Sequence, residues 1–212
     1  MCDKVDGESN LAGKIAITSS AWRPVQIQLR TPVAANAAMY RTLLGDLPGL
    51  SIVRGPLLDG CVADAVIAPT NSFGYLDAGI DSAFARRFGP RLQRSLQECI
   101  ACEFDAELPV GEAIIIPTGD FTMPFMVAAP ATQFPGYISG EPLMYSALHA
   151  ALRAVNAWNI ADEWPPIESI VLPDMARATH GWRAETLVLQ VREALEAWNR
   201  AHALPGQQSR AA

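Results

Sequence analysis

The stretch ADAVIAPTNSFGYLDAGIDSAFARRFG, Ala63–Gly89, decides the fold. Ala65–Ala68 is a short apolar run bounded by turn residues, which predicts a buried strand. Pro69-Thr70-Asn71-Ser72-Phe73-Gly74 reads as the turn that ends it, and Asp77-Ala78-Gly79-Ile80-Asp81 as the approach to a helix over Ile80–Phe88. A strand, a polar loop and a helix in that order place the loop beyond the carboxyl end of a strand, where open α/β sheets bind their ligands. Gly79 before the helix permits close backbone approach, and the free N–H groups of a helix start favour an anion such as phosphate. Asn71 carries amide donors and a carbonyl acceptor that suit sugar hydroxyls, but an Asn at a strand end also bonds its own backbone. Asp81 has the same two readings, a group facing the cleft or a charge that complements its helix.

Outward from this stretch, strand-like runs alternate with amphipathic helices. Strands are expected at Lys14–Thr18 or Val25–Arg30, then at Ser51–Arg54, Ala65–Ala68, Ala113–Pro117, Phe125–Ala129 and Ser169–Leu172. Helical periodicity runs through Leu148, Ala151, Leu152, Val155 and Trp158, and again through Leu187, Val188, Val191, Leu195 and Trp198, so both tryptophans are expected to pack in the core. Further helices are expected at Ala34–Leu44, Ile80–Phe88 and Pro90–Cys102, the last opened by a proline where helices tolerate one. The order predicts an α/β fold with a mixed or mostly parallel sheet and helices on both faces.

With 212 residues, half of them hydrophobic and 18% charged, the chain has the makings of a real core and is far from a disordered composition. One domain is expected over residues 11–202, between a flexible start at 1–10 and a flexible tail at 203–212. The polar first ten residues lack the pattern of a secretory signal, and no apolar run approaches the roughly 18 residues of a membrane span, so a cytoplasmic protein without a membrane partner is expected. The net charge of -6 argues against a nucleic-acid partner. Arg86, Arg87, Arg91 and Arg94 have the spacing of solvated helix faces. Cys99 and Cys102 have redox-motif spacing without a second pair or a nearby histidine, so they are expected to be small buried thiols, with neither a metal nor a cofactor implied.

The run Ala65–Gly89 resembles the signature of macro domains, with Asn71 matching the second asparagine of the turn, Gly79 the last glycine of the loop and Asp81 the acidic residue of hydrolase-like members. Gly111-Glu112-Ala113 looks like the entry to that family's central strand, Phe125–Pro130 like its next strand, and Ile170–Trp182 like its second phosphate loop. The resemblance covers roughly Leu50–Trp198 and implies a three-layer α/β/α fold with a mixed central sheet. It also implies a site that binds ADP-ribose or a related NAD-derived nucleotide, with Asp81 and Asn71 as the catalytic candidates. The ligand-binding candidates are Thr70, Asn71, Ser72, Phe73, Ala78, Gly79 and Ile80 on the first loop, and Ala176, Arg177, Ala178, Thr179, His180, Gly181 and Trp182 on the second.

This chain departs from the family pattern in places that matter chemically. Ala68 replaces the first asparagine of the turn. Gly55-Pro56 replaces a Gly-Asp pair whose carboxylate accepts a hydrogen bond from adenine, which leaves Asp59 as the substitute acceptor. The second loop keeps only Gly181, and each non-glycine held in a left-handed conformation there would cost on the order of 1–2 kcal/mol. Arg177 and His180 offer side-chain phosphate contacts instead. Three readings follow: a nucleotide-binding module with Phe73, Tyr75 and Trp182 as stacking platforms, an ADP-ribosyl hydrolase acting on an ADP-ribosylated protein, and a degenerate domain that serves as a protein-interaction surface or takes another phosphorylated ligand.

Overall fold

The computed structural model describes residues 25–76, 80–135, 143–175 and 183–202, with Asp81 described in its backbone alone. The expected flexible ends at 1–10 and 203–212, the alternative first strand Lys14–Thr18, and the candidates Ala78, Gly79 and 176–182 lie outside these residues. The chain order is β1 (Gln26–Thr31), α1 (Ala34–Leu44), β2 (Leu50–Arg54), β3 (Ala65–Asn71), α2 (Asp81–Phe88), α3 (Pro90–Glu103), β4 (Ile114–Pro117), β5 (Phe125–Thr132), α4 (Met144–Ala161), β6 (Ser169–Pro173) and α5 (Ala184–His202).

Six strands form one sheet in the order β2-β1-β6-β3-β5-β4. All neighbouring pairs are parallel except β4 with β5, so the sheet is mixed with one antiparallel edge. Every residue of β3 is buried, as expected of a central strand covered on both faces. Alternation divides the core in two. Ala65, Ile67, Val127, Ala129, Ile170 and Leu172 face a cluster built with α1, α4 and α5, while Val66, Ala68, Ile116, Met126 and Ala128 face a second cluster with α2 and α3. The result is three layers, α/β/α. Trp198 is buried in the first cluster and Trp158 packs against it, which bears out the packing role expected of both.

Two expectations are corrected. Arg87 does not lie on a solvated face. Its side chain is 12% exposed and pairs with Asp120 at 2.9 Å. It also donates to the carbonyls of Leu58 and Cys61 and to Thr122 Oγ1, tying α2 to the β2–β3 connection and the β4–β5 turn. Spacing alone did not show this, because Arg87 meets residues some 30 positions away. Cys99 is half-buried and Cys102 is exposed, because the buried stripe of α3 runs through Leu92, Leu96 and Ile100 and leaves both thiols off its centre.

Hydrogen bonds from the Thr122 side chain and backbone, joined by the Arg87 guanidinium, hold the Asp120 carboxyl at about 2, below its ordinary 3.8. A carboxyl lowered on folding contributes stability above its unfolded pKa and loses it as pH falls through the folded one. Asp120→Asn is therefore expected to lower stability at neutral pH and to flatten the acid limb between about pH 4 and pH 2. Urea midpoints measured across that range check this.

Candidate functional site

The sheet is stitched at one edge and split at the other between β3 and β6. At the amino edge, Asp64 Oδ2 accepts hydrogen bonds from the backbone N–H groups of Glu168 and Ser169 and from Ser169 Oγ, at 2.7 to 3.0 Å. Pairing continues through Ala65↔Ile170 and Val66↔Val171 and then stops. Beyond Val66, β3 stays with β5 as far as Asn71↔Thr132, whereas β6 stays with β1 as far as Arg30↔Pro173. The chain leaves β3 toward α2 on one face of the sheet and leaves β6 toward α5 on the other. The carboxyl edge between two strands whose connections depart to opposite faces is the topological switch point at which open α/β sheets bind ligands.

Each lip of this fork is clamped to its own side. On the β6 lip, Asp174 is fully buried and its carboxylate accepts from Thr31 Oγ1 at 2.5 Å, Asn36 Nδ2 at 2.9 Å and Tyr40 Oη at 2.6 Å. Asn36 and Tyr40 are four residues apart on α1 and so share one helix face. Thr31 ends β1 and accepts from the N–H of Val33 at the start of α1. On the β3 lip, the Ser72 N–H bonds the carbonyls of Thr132 and Gln133, and the Leu108 N–H bonds the Ser72 carbonyl. Asn71 Oδ1 accepts from the N–H groups of Phe73 and Tyr75, and its Nδ2 donates to the Tyr75 carbonyl. Of the two readings open to Asn71, this is the backbone-bonding one: it shapes the turn.

Gly74 lets that turn lie flat on α3. It has a φ of +68°, and a Cβ there would come within 2.9 Å of both Leu96 and Ile100. Gln93 and Gln97 complete the seat by bonding the Leu76 N–H and the Phe73 carbonyl. Phe73 stacks on Phe134 with ring centroids 5.7 Å apart, and Tyr75 is 42% exposed, so Tyr75 is not swallowed into a filled cleft. Thr70, Asn71 and Ser72 are buried at the fork, and Ile80 is buried where α2 begins. Thus the structure gathers Thr70, Asn71, Ser72, Phe73 and Ile80 on one lip. The remaining candidates, Ala78, Gly79 and Ala176 to Trp182, belong to the segments that follow β3 and β6 and lie outside the described residues, as does the side chain of Asp81.

Along α2 from the fork lies a cavity of about 650 Å3, walled by Pro32, Pro56, Leu58, Asp59, Ala83 and Arg86 among others. The β2–β3 connection forms its outer wall. That wall is anchored by Arg30 Nε donating to the Pro56 carbonyl at 2.9 Å and by the bonds of Arg87 to Leu58 and Cys61. Among the described residues no group of three or more His, Cys, Asp or Glu is disposed to hold a metal ion, and no helix is long and apolar enough to cross a membrane. Neither the Asp174 clamp nor the role of Phe134 is foreseen from the sequence. The spacing of Asn36 and Tyr40 was the available signal for the first.

The family model described as Macro domain matches residues 67–189, more than half of the chain. The chain belongs to the macro domain family. This macro domain is similar to a macro domain-containing protein of Streptomyces griseus, 27% identical over 135 residues that cover 64% of this chain and 72% of that protein. It is also similar to an uncharacterized protein of Aeropyrum pernix, 30% identical over 119 residues that cover 56% of each, so it spans just over half the length of that relative. Among solved structures, the macrodomain of Mycobacterium tuberculosis DarG matches with a TM-score of 0.55 at 19% identity, over 69% of this chain and 89% of that one. The macrodomain of Thermus aquaticus DarG matches with a TM-score of 0.54 at 22% identity, over 68% and 89%. At such identities the likeness is one of fold, and it bears out the three-layer architecture expected from the sequence.

Removing one partner from the β6 clamp leaves buried donors or acceptors unsatisfied. Tyr40→Phe is expected to cost about 1–2 kcal/mol and Asp174→Ala about 3 kcal/mol or more, read from urea denaturation. Equal stability of both variants with wild type would show that the clamp does not hold the fork.

Proposed function

We propose that this macro domain binds ADP-ribose or a related NAD-derived nucleotide across the β3–β6 fork. The divergence of the two strands after Val66 is the observation that carries the reading, because it opens the carboxyl edge where the family's ligand-binding loops depart. The diphosphate sits at the start of α2, where the positive end of the helix favours anionic oxygen. The first loop, with Asn71 fixing its shape and Ser72, Phe73, Ala78, Gly79 and Ile80 along it, forms one side of the site. Residues 176–182, with Arg177 and His180 as phosphate partners and Trp182 as a stacking ring, form the other.

The base is received by the cavity beside α2, whose volume lies within the usual range for small-molecule sites. Its wall carries Asp59, an acceptor for an exocyclic amine, in place of the carboxylate lost at Pro56. Binding is the core of the reading, and hydrolysis of an ADP-ribosyl linkage on a modified protein is an addition to it. Asp174 already accepts three side-chain hydrogen bonds and is not available as a base, so hydrolysis rests on Asp81, the first residue of α2.

Calorimetric titration with ADP-ribose, ADP, AMP and NAD tests the reading. ADP-ribose is expected to bind in the micromolar range, which requires about 8 kcal/mol, and Asp59→Ala to weaken it roughly tenfold. Silence from all four ligands rejects nucleotide binding and favours a different phosphorylated ligand or an interaction surface. Asp81→Ala is expected to abolish release of ADP-ribose from a modified protein while leaving its affinity for free ADP-ribose close to wild type; undiminished release would remove Asp81 from the chemistry.

A further inference from the structure

A second cavity lies in the other layer of the molecule. Its volume of about 510 Å3 is within the usual range for small-molecule sites, and it sits between α4, the end of α5 and the residues that lead into β4. Because α4 and α5 pack on the face of the sheet opposite to α2, it is separate from the cavity beside α2 and shares no lining residue with it.

The sequence of α4 makes both the room and the chemistry. Leu148, Leu152 and Val155 turn inward to the core. Ala150, Ala154 and Ala157, at steps of four and three, line the cavity and are too small to fill it. One position before each alanine come His149, Arg153 and Asn156, which share the neighbouring stripe of the helix and line the same cavity. Each carries an N–H donor, and among the described residues none of these three side chains makes a hydrogen bond or an ion pair. The His149 ring is held in direction by stacking on Tyr145, with centroids 5.6 Å apart and planes 7° from parallel. From α5 comes an aromatic wall, in which Trp198 is buried and the His202 ring lies against it with centroids 3.8 Å apart.

Uncommitted donors along one stripe, a floor of alanine and an aromatic wall suit a flat molecule with an anionic end. Arg153 is a permanent cation, and its planar guanidinium matches a carboxylate through two parallel hydrogen bonds. Glu112 also lines the cavity, and its negative charge opposes a doubly charged phosphate more than a singly charged carboxylate. We propose that this cavity is a second ligand site, taking a small aromatic carboxylate with its charge on Arg153 and its ring packed against the Trp198–His202 pair. The assignment stands apart from nucleotide binding at the fork.

The test follows the histidine ring protons and the indole N–H of Trp198 by NMR while benzoate, benzamide or phenyl phosphate is added to the full chain. Benzoate is expected to shift the His149, His202 and Trp198 signals saturably with a Kd in the millimolar range, and to leave His180, the third histidine, unmoved. Benzamide, which keeps the shape without the charge, and phenyl phosphate are each expected to bind about tenfold more weakly or worse. Arg153→Gln, on an exposed part of α4, is expected to weaken benzoate about tenfold or more, and Ala154→Phe, which fills the floor, to abolish its binding. No saturable shift at tens of millimolar benzoate, or an Arg153→Gln variant that binds benzoate as wild type does, overturns the site. Benzamide or phenyl phosphate bound as tightly as benzoate overturns the ligand class. Displacement of benzoate by ADP-ribose overturns the separation of this cavity from the fork.

Discussion

A buried carboxylate sets the shape of the site without lying open in it. Asp174 draws Thr31, Asn36 and Tyr40 onto its two oxygens and so fastens the end of β6 to β1 and to α1. Such a group is costly to bury, and three donors, two of them on one face of α1, offset that cost only in this arrangement. The tie has a direction. It holds the end of β6 on the β1 and α1 side, while the Ser72 N–H holds the end of β3 on the β5 side through the carbonyls of Thr132 and Gln133. With Asp64 closing the amino edge through Ser169, the pair of strands becomes a wedge with a fixed apex and two fixed lips. Ligand groups entering such a wedge meet a frame whose conformational cost was met during folding, which is what preorganisation means for affinity.

The frame also separates rigid from variable. The clamped residues all precede the points where the loops leave the strands: Asn71 and Ser72 for the first loop, Asp174 for the second. Under the proposed reading, substitutions inside 176–182 would therefore alter ligand contacts without disturbing the clamps that hold the sheet. In the proposed complex, a second loop carrying Ala176, Arg177, Ala178, Thr179 and His180 in place of glycines would exchange backbone approach for side-chain contact, since a guanidinium reaches farther than an amide. The cavity wall carries Pro56 and, three residues on, the carboxylate of Asp59.

What was legible in the sequence follows from the range of the interactions involved. Ala34–Leu44 and Pro90–Cys102 were read nearly to the residue because periodicity, a proline at the helix start and flanking turns are all local signals. The strand order was reachable only through family resemblance, since nothing local says that β6 inserts between β1 and β3. The burial of Arg87 leaves no local trace, because its partners, Leu58, Cys61, Asp120 and Thr122, lie 26 to 35 positions away. The Asp174 clamp is invisible locally for the same reason, with partners 134 to 143 positions distant. Asn71 shows the opposite case: its bonds to Phe73 and Tyr75 are local, and the strand-end reading of asparagine contained them.

The charge of the chain constrains how an anionic ligand arrives. At a net -6 the surface repels a diphosphate at long range, but at physiological ionic strength that repulsion decays over roughly 8 Å. Within that distance the field is set by local groups. The start of α2 and Arg86 on the cavity wall are positive, and the carboxylate of Asp174 is wrapped by its three donors. The exposed acidic residues therefore do not govern the site at short range, and they offer no steering of an anion toward it. Under the proposed reading, affinity would come from short-range donors meeting phosphoryl oxygens in a fixed frame, and discrimination between ligands would fall on the spacing between the α2 start and the cavity beside it. A ligand with a phosphate but no base at the right reach would engage one and miss the other.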